Sequence, residues 1–398
     1  MKLLQVNITA NWGSHGRIAE DIGQLAISQG WESYLAYGRT ANPSKSHLLR
    51  IGSMMDERWH GVQSRLLDNH GLASVSATRR FIRQIDEIKP DIVHLHNIHG
   101  YYLNYPLLFQ HLSKLDVPVV WTLHDCWPVT GHCAFFTYEG CDKWKSGCHH
   151  CECKYKYPQS LLFSRSEKNY IQKHQSFTSL GNLTIVPVSQ WLEDIVKESF
   201  LSKYPVKVIH NGVNLNKFIV LPGNSSTSHP KVLLGVSSVW EKRKGLDDFV
   251  LLRQLLSDSY RIILIGLTQQ QIASLPAGIE GISRTNNVDE LIHYYNLADV
   301  FVNPTYEDNF PTTNIEALAC GTPVVTYNTG GSPEAIDGNT GVVVEYGNVN
   351  AMAKSIETLC NEQDKASQSK LCRERAELLF NKNDRYQEYL DLYNSLLK

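Results

Sequence analysis

One loop and the helix after it set the architecture expected for this chain: Asp308-Asn309-Phe310-Pro311-Thr312-Thr313-Asn314-Ile315-Glu316, continuing into Ala317-Leu318-Ala319-Cys320-Gly321-Thr322-Pro323-Val324-Val325. A predicted strand, 299–303, precedes the loop. A helix that begins near Thr312 directs free backbone N–H groups and the positive end of its dipole at an anion. The alternative is that Asp308 and the two threonines only cap the helix.

Short runs rich in valine and isoleucine alternate with helical patterns along the whole chain. Ten of these runs are predicted strands: 2–8, 33–37, 91–95, 118–123, 184–188, 206–209, 232–238, 260–265, 299–303 and 323–326. Because the runs are apolar on both faces, they fit parallel sheets that helices cover on each side. The repeated alternation predicts an α/β protein with two doubly wound, Rossmann-like domains.

A polar segment rich in proline, glycine and serine, 222–230, is the clearest linker. It predicts an N-terminal domain over 1–220 and a C-terminal domain over 230–383. The C-terminal segment 384–398 has one apolar helical face. That helix either closes its own domain or crosses back to pack on the first domain.

The composition excludes several classes of protein. The 398 residues are 42% apolar and 20% charged, which is typical of a globular chain and not of a disordered one. A net charge of −2 argues against a general nucleic-acid binder. No apolar run approaches the ~20 residues that span a bilayer, and the N-terminus lacks a signal-peptide core. These features predict a cytoplasmic protein.

Five motifs in a fixed order resemble the donor site of retaining family 4 glycosyltransferases. These enzymes have the GT-B fold, in which two Rossmann-like domains face each other across a cleft. The first motif is the acid, Glu-Ala and Gly-Thr-Pro-Val-Val pattern between Asp308 and Val325. The others are Asn211-Gly212-Val213-Asn214, Lys244-Gly245, Gly330-Gly331-Ser332-Pro333-Glu334 and Asp337-Gly338-Asn339-Thr340-Gly341. The match is strong over 205–345 and loose elsewhere.

The resemblance implies roles for the cations and acids of the C-terminal domain. Lys244 neutralises the donor diphosphate, a task suited to a compact charge. Arg243 is the candidate for the family's second cation, whose usual position is Val239 here. Asp308 occupies the position of the family's first glutamate, and Glu316 binds the ribose hydroxyls.

The loop between these acids completes the implied donor site. Phe310 and Pro311 precede the helix, and the backbone amides of Thr312 and Thr313 hold the diphosphate, since proline has no N–H to donate. The resemblance therefore implies that Lys244, Asp308 and a histidine of the first domain carry the catalysis.

That histidine is His124, which ends the predicted strand 118–123, where open α/β sheets place ligands. It resembles the family histidine that contacts the donor sugar, and the alternative is a structural role. Gly13 and Gly16 follow the first strand and resemble the family's glycine loop near the donor phosphates. Arg17 after them is either a phosphate contact or a solvated residue.

Two clusters allow a metal. His94, His96 and His99 lie at the end of the strand 91–95, and their spacing fits either the polar rim of a cleft or a metal site. Six of the nine cysteines fall within 126–153. A structural Zn²⁺ is predicted on four of them: Cys133, Cys141, Cys148 and Cys151. An iron–sulfur cluster on the same ligands and unligated thiols are the alternatives.

The insert 126–158 that holds these cysteines has little hydrophobic periodicity, so we expect that it cannot order itself through a core of its own. It resembles an elaboration found in some bacterial polysaccharide-synthesis members of the family. Cys126 and Cys153 are expected to be left out of the metal site, because Cys126 abuts the strand end and Cys153 follows Cys151 closely.

The resemblance implies retaining transfer of a hexose-type sugar from a UDP or GDP sugar to a saccharide or lipid-linked saccharide, in bacterial surface polysaccharide synthesis and with no cofactor for catalysis. The alternatives are a GT-B sugar-nucleotide epimerase and a non-catalytic binding protein with the same fold. Seven basic residues between 143 and 173 predict peripheral contact with the inner face of the membrane. The alternative is an ordinary solvated charged face.

Overall fold

The computed structural model of the chain describes residues 1–222, 230–362 and 364–398. Its contacts form two compact units: unit 1 comprises Met1–His210 and Tyr386–Lys398, and unit 2 comprises Asn211–Arg385. The boundary falls after His210, ahead of the predicted linker, whose residues 223–229 lie outside the described part of the chain. No helix within the described residues combines the length and the apolar character that crossing a bilayer requires.

Unit 1 is built on a parallel six-stranded sheet. Its strands are β1 (Lys2–Asn7), β2 (Glu32–Tyr37), β3 (His47–Arg50), β4 (Ile92–Leu95), β5 (Val119–Leu123) and β6 (Leu183–Pro187). Its helices are α1 (Gly13–Ser28), α2 (Met54–Leu67), α3 (Val75–Ile88), α4 (Tyr105–Leu112), α5 (Ser166–Phe177) and α6 (Gln190–Glu198). The strand order is β3-β2-β1-β4-β5-β6.

Unit 2 repeats this plan. Its strands are β7 (Lys231–Val236), β8 (Tyr260–Ile265), β9 (Ile279–Ile282), β10 (Val300–Asn303), β11 (Val324–Tyr327) and β12 (Gly341–Val344). The helices are α7 (Leu246–Leu255), α8 (Gln269–Ala273), α9 (Val288–Leu297), α10 (Thr312–Ala319), α11 (Val349–Glu362), α12 (Lys365–Leu379) and α13 (Lys382–Leu396). The strand order β12-β11-β10-β7-β8-β9 confirms the prediction of two doubly wound α/β units.

In both units the strand order reverses direction beside the first strand. The reversal lies between β1 and β4 in unit 1 and between β7 and β10 in unit 2. Open α/β sheets bind ligands beyond the carboxyl ends of the strands at such a point. The topology therefore directs attention to the loops that follow these four strands.

Most predicted strands are present, and the differences lie at sheet edges. The strand predicted over 206–209 is wrong: the segment runs beside β6, but only Val206 forms a bridge, with Ile185. Sequence reasoning missed β3, β9 and β12, which are four-residue strands at the edges of their sheets. An edge strand has one neighbour and is partly exposed, so it lacks an apolar run on both faces.

The C-terminal helix α13 packs in unit 1 from Tyr386 onward. Tyr389, Leu390 and Tyr393 lie in one buried cluster with Leu3 of β1. Two hydrogen bonds join this face to the sheet: the Thr122 hydroxyl to the Tyr389 hydroxyl at 3.2 Å, and the Tyr393 hydroxyl to Nδ1 of His94 at 2.6 Å. Of the two predicted alternatives, the structure shows the helix that crosses back.

The insert 126–158 is packed into the core of unit 1, so it is ordered by the core of that unit and not by a core of its own. Trp127, Phe136 and Trp144 are buried in the main apolar cluster of the unit, and the rings of Phe136 and Trp144 stack with centroids 5.1 Å apart. The secondary structure of the insert is limited to short 3₁₀ turns at Trp127–Val129, Lys143–Lys145 and Glu152–Tyr155. Irregularly spaced aromatic residues on such turns reach the core of unit 1 without giving the segment any hydrophobic periodicity.

Candidate functional site

In unit 2, two loops meet because β7 and β10 are neighbours in the sheet. Lys244 follows β7 and forms an ion pair with Asp308, which follows β10. The guanidinium of Arg243 donates to the Glu307 carbonyl over 3.3 Å. Arg243 and Lys244 therefore contact two adjacent residues of the loop that follows β10, which we call the acid loop: Glu307 and Asp308. Glu307 is buried, whereas the side chain of Asp308 remains about one-fifth exposed (21%), which favours Asp308 as the accessible acid.

Helix α10 begins at Thr312, as the sequence predicts, with Pro311 at the N-cap and no side-chain cap. One oxygen of Asp308 instead accepts from the Asn309 N–H at 2.9 Å. The structure therefore does not support the alternative in which Asp308 and the threonines cap the helix. Phe310 is buried and lies against the Phe380 ring, with centroids 5.9 Å apart, and this contact fixes the loop before the helix.

The acid loop is backed by Gly330 and Gly331. A Cβ on Gly330 would lie 1.7 Å from the Asp308 carbonyl oxygen, and the residue has φ +54°, so a larger side chain does not fit there. The Gly331 N–H donates to the Asn309 carbonyl over 2.8 Å. The Gly330-Gly331 pair of the motif therefore packs directly against the acid loop, and the close approach at Gly330 explains the glycine there.

Glu316 lies one turn into α10, where its carboxylate is oriented by Tyr295. The Tyr295 hydroxyl, on the buried side of α9, donates to Oε2 of Glu316 at 2.9 Å. Burial raises the pKa of Tyr295 well above its usual value, so the phenol stays protonated and keeps donating. Sequence reasoning missed Tyr295, because its partner lies on another helix.

In unit 1 the corresponding loop joins β1 to α1. Gly13 opens α1, whose N-terminus also lacks a side-chain cap. Gly16 is buried in the first turn, where a Cβ would lie 2.6 Å from the Thr9 hydroxyl. His15 follows the loop and its Nδ1 is 3.0 Å from the Asn7 amide nitrogen. Arg17 is exposed.

His124 lies at the end of a chain of polar side chains across the sheet. Its Nε2 is 3.2 Å from Nδ1 of His96, whose Nε2 is 3.1 Å from Oε1 of Gln5. The rings of His96 and His124 are stacked with centroids 5.5 Å apart. Burial holds the pKa of His124 well below its usual value, and the neighbouring His96 lowers it further. His124 is therefore a neutral hydrogen-bonding group.

The other histidines at these strand ends are engaged by protein groups. His94 contacts the Thr122 hydroxyl on one ring nitrogen and the Tyr393 hydroxyl on the other. His99 similarly contacts Asp125 and Tyr157. His94, His96 and His99 are all buried. His96 and His99 also line a small pocket together with His124 and Asp125, which agrees with a polar rim. Within the described residues, these histidines belong to no group that is placed to hold a metal ion.

Family comparisons settle what these loops belong to. The family model for Glycosyltransferase Family 4 matches residues 16–217, and the model for Glycosyl transferases group 1 matches residues 230–362. The chain is a member of Glycosyltransferase Family 4. It is a glycosyltransferase, as the motifs in the sequence imply.

Two relatives and one solved structure show the extent of the likeness. WcaC of Escherichia coli (strain K12), a putative colanic acid biosynthesis glycosyl transferase, is 27% identical over 368 residues, which are 86% of this chain and 87% of the relative. A Campylobacter jejuni N,N'-diacetylbacillosaminyl-diphospho-undecaprenol alpha-1,3-N-acetylgalactosaminyltransferase is 26% identical over 207 residues, 47% of this chain and 53% of that protein. Sucrose-phosphate synthase from Thermosynechococcus elongatus superposes with a TM-score of 0.73 at 18% identity, covering 99% and 98% of the two chains. The predicted GT-B fold class is confirmed.

One cluster in unit 1 of this family 4 glycosyltransferase was not foreseen. Nε2 of His99 is 2.9 Å from Asp125, and its Nδ1 is 3.0 Å from the hydroxyl of Tyr157, a residue of the insert. Burial by itself raises the pKa of Asp125, but His99 and the Trp127 N–H hold it below its usual value. The sequence singled out His99 and the neighbouring His124, but it gave no sign of the contacts of His99 with Asp125 and Tyr157.

The cysteine segment of the glycosyltransferase gathers thiols in a different set from the predicted four. Cys133 is in hydrogen-bonding contact with Cys151 and with Cys153, the residue expected to be left out. Cys148 instead accepts from the Gly131 N–H at 3.1 Å.

Cys141 is partly buried against the core of unit 1, and none of the nine cysteines, all of which the structure describes, is in a disulfide bond. Over the described ranges, no group of three or more His, Cys, Asp or Glu side chains is placed to hold a metal ion. The zinc site stays a prediction.

Proposed function

We propose that this glycosyltransferase transfers a hexose-type sugar, with retention of anomeric configuration, from a UDP or GDP sugar to a saccharide or lipid-linked saccharide acceptor. The observation that carries the proposal is the Lys244–Asp308 pair beside the uncapped N-terminus of α10, at the point where the strand order of unit 2 reverses. One relative is named for colanic acid biosynthesis, and the name of another includes an undecaprenol-linked sugar. These names support a place in bacterial surface polysaccharide synthesis. Retention rests on the family resemblance.

Each group of the unit 2 site has a task in this reaction. Lys244 and the first amides of α10, at Thr312 and Thr313, stabilise the negative charge that develops on the departing diphosphate. A diphosphate at this position displaces Asp308 from the ammonium group of Lys244. Glu316, held by Tyr295, accepts hydrogen bonds from the ribose hydroxyls.

In unit 1, His124 contacts the transferred sugar as a hydrogen-bonding group. Its lowered pKa keeps the ring neutral at physiological pH, so its second nitrogen can donate to or accept from a sugar hydroxyl according to its tautomer. Gly13 and Gly16 leave the first amides of α1 accessible near the donor phosphates.

The test of the function is Lys244→Ala, with Lys242→Ala as the matched control. Lys242 is an exposed neighbour in the same turn. Removing one charge-assisted contact should weaken binding of the nucleoside diphosphate and slow turnover by about 10- to 100-fold, while Lys242→Ala stays near wild type. A folded Lys244→Ala variant with wild-type turnover would show that the donor site is wrongly assigned.

The wild-type enzyme should also be incubated with a panel of UDP and GDP sugars. Release of the nucleoside diphosphate together with a glycosylated product supports the proposal, and the anomeric configuration of the product by NMR tests retention. Isomerisation of the donor points instead to the epimerase, and binding without conversion points to a non-catalytic protein.

We also propose that Cys133, Cys141, Cys148 and Cys151 bind one structural Zn²⁺. Four thiolates satisfy a tetrahedral zinc without an open position, so such a metal supplies stability and no catalysis. The number and spacing of the thiols support this proposal. Elemental analysis of the purified protein tests it: about one zinc per chain is expected. Iron in its place indicates the cluster, and the absence of both metals with nine titratable thiols overturns the proposal.

A further inference from the structure

Two chains of hydrogen bonds cross the carboxyl ends of β1, β4 and β5 in unit 1, and each begins at a backbone group. A backbone carbonyl can only accept a hydrogen bond, and a backbone N–H can only donate one. The direction of every later hydrogen bond in the chain therefore follows from the first. The tautomer of each neutral histidine in the chain follows in the same way.

The first chain begins at the Ala19 carbonyl in α1 and ends at His124. That carbonyl accepts from Nε2 of Gln5 over 2.7 Å, so the amide oxygen of Gln5 is the acceptor for Nε2 of His96, which is 3.1 Å away. His96 therefore carries its proton on Nε2, and its Nδ1 accepts. Because Nε2 of His124 is 3.2 Å from this Nδ1, it is the donor. Nδ1 of His124 is left as an acceptor.

The second chain begins at the backbone of Asn97, after β4, and ends at His15 in the first turn of α1. The Asn97 N–H donates to Oδ1 of Asn7 over 3.3 Å, which leaves the amide nitrogen of Asn7 as the donor. This nitrogen donates to the Thr9 carbonyl over 2.8 Å and lies 3.0 Å from Nδ1 of His15. His15 therefore accepts on Nδ1 and carries its proton on Nε2.

Burial keeps the three rings in the neutral forms to which these tautomers apply. It lowers the pKa of His15 to about 4 and holds the pKa of His96 and of His124 well below its usual value. Gln5, Asn7 and His96 are buried, whereas His15 and His124 are partly exposed. The supporting groups are therefore closed to water, and the two rings at the ends of the chains can meet a ligand.

The two end rings present complementary hydrogen-bonding atoms. Among the residues that the structure describes, Nε2 of His15 and Nδ1 of His124 have no hydrogen-bond partner, and neither atom is shut off from solvent. The ring centroids are 5.9 Å apart. With hydrogen bonds about 2.8 Å long, one oxygen atom, or two on neighbouring carbons, can meet both rings. A hydroxyl group suits this pair, because it donates through its proton and accepts through its oxygen.

We propose that His15 and His124 form a hydroxyl clamp, in which Nε2–H of His15 donates to, and Nδ1 of His124 accepts from, hydroxyl groups of the transferred sugar. A carboxylate or an ether oxygen only accepts, and an ammonium group only donates, so each would leave one ring unsatisfied. The clamp therefore selects a sugar with free hydroxyl groups at this position over a deoxygenated or O-alkylated one. The proposal rests on the proposed function, in which His124 contacts the transferred sugar.

The tautomers are tested first, in the full-length protein without ligand. Two-bond ¹H–¹⁵N correlation spectra of protein labelled with ¹⁵N-histidine distinguish the two ring nitrogens, and His15→Gln and His124→Gln assign the signals by their disappearance. At neutral pH we expect both rings to carry the proton on Nε2. A proton on Nδ1 of either ring, or exchange between the two tautomers, overturns the proposal.

The second test separates the sugar from the nucleotide by isothermal titration with UDP, UDP-glucose, UDP-galactose, GDP and GDP-mannose. His15→Phe keeps an aromatic ring of similar size but has no donor. It should lower the affinity for the sugar nucleotide that wild type binds about fivefold and leave binding of the nucleoside diphosphate unchanged. His15→Gln retains a donor at the end of its side chain and should lose less.

His47→Phe is the matched control, because it makes the same change at an exposed histidine at the amino end of β3, and it should bind every ligand as wild type does. Monodeoxy analogues of the bound sugar nucleotide identify the clamped hydroxyl. With the analogue that lacks this hydroxyl, His15→Phe and wild type should bind equally, because the contact that the variant removes is already absent.

Three outcomes contradict the clamp. If His15→Phe weakens binding of the nucleoside diphosphate as much as that of the sugar nucleotide, or loses the same affinity for every monodeoxy analogue, then the ring has only a structural role. A loss of affinity with Lys244→Ala but none with His15→Phe overturns the clamp and leaves the proposed donor site standing. A wild type that binds none of the five ligands overturns the donor site and the clamp together.

Discussion

At the carboxyl ends of their strands, the two units carry opposite kinds of polar side chain. Unit 1 ends β4 and β5 with histidines that pack against one another, and burial keeps His94, His96 and His124 uncharged. Unit 2 places Lys244 after β7 and Asp308 after β10, the counterparts of β1 and β4, where they form a partly exposed ion pair. The same strand order thus supports a neutral hydrogen-bonding surface in unit 1 and a charged loop that is suited to binding an anion in unit 2.

This difference gives the two units different sensitivity to acid. Thirteen of the sixteen histidines lie within 1–180, whereas residues 211–385 contain two, His229 and His293. Burial lowers the pKa of His15 and of His60 to about 4. A histidine with a depressed pKa in the folded state stabilises the protein above its unfolded pKa, and this contribution is lost as the pH falls.

The largest expected effect is therefore loss of unit 1 stability on acidification. Between pH 7 and pH 5, His15 and His60 should each cost about 2 kcal/mol of unfolding free energy, because the unfolded chain binds protons that the folded unit does not. Unit 1 holds seven of the eight tryptophans, so tryptophan fluorescence reports mainly on it. Its melting temperature should fall steeply over this range, while hydrogen exchange of unit 2 changes less.

His60→Gln should reduce the slope of that pH dependence, because it removes one buried titrating ring. His47→Gln changes an exposed histidine of β3 and serves as the control. Equal pH dependence of the two units, or identical slopes for the two variants, contradicts the comparison.

A smaller loss of stability is expected when a contact between the insert 126–158 and the rest of unit 1 is weakened. Asp68, buried at the end of α2, accepts from Nδ1 of His132 at 2.7 Å and from the Arg165 N–H at 2.7 Å. Asp68→Asn can keep the left-handed backbone conformation of this residue, φ 54°, but it loses an acceptor for one of the two donors. We expect about 1–3 kcal/mol of destabilisation and faster proteolysis within 126–158.

Glu87→Gln, the same acid-to-amide change at an exposed position of α3, should leave chemical denaturation unaltered. If Asp68→Asn is as stable as this control, then Asp68 does not anchor the insert.

Local sequence motifs made the unit 2 part of the candidate site predictable. Lys244, Asp308 and Glu316 each stand at a fixed distance from a strand or a helix start, and such spacings are visible in the sequence. The contact of Tyr157 with His99 joins residues 58 positions apart, and nothing local marks it. The outward apolar face of α2, where Met55 and Trp59 are exposed, is hidden for another reason: its 3.6-residue period is the same whether the face is buried or exposed.

The smallest expected effect is on donor binding in unit 2, and it separates the orientation of the Glu316 carboxylate from its charge. Tyr295→Phe removes one hydrogen bond to Oε2 of Glu316 without opening a cavity, because the two side chains have nearly the same shape. The carboxylate keeps its charge but loses the partner that orients it, so donor affinity should fall about fivefold. The lost hydrogen bond should lower the free energy of unfolding by about 1.5 kcal/mol. Isothermal titration with the nucleoside diphosphate and with the nucleoside, which keeps the ribose and lacks the phosphates, separates a ribose effect from a phosphate effect.

The adjacent Tyr294→Phe, also on α9, is the control and should bind the donor as wild type does. Lys244→Ala should lose affinity for the diphosphate, whereas Tyr295→Phe should lose only the part contributed by the ribose. If Tyr295→Phe binds the donor with unchanged affinity, then Glu316 either does not meet the ribose or needs no partner to do so. In that case the charged loop alone, and not its hydrogen-bonded support, distinguishes unit 2 from unit 1.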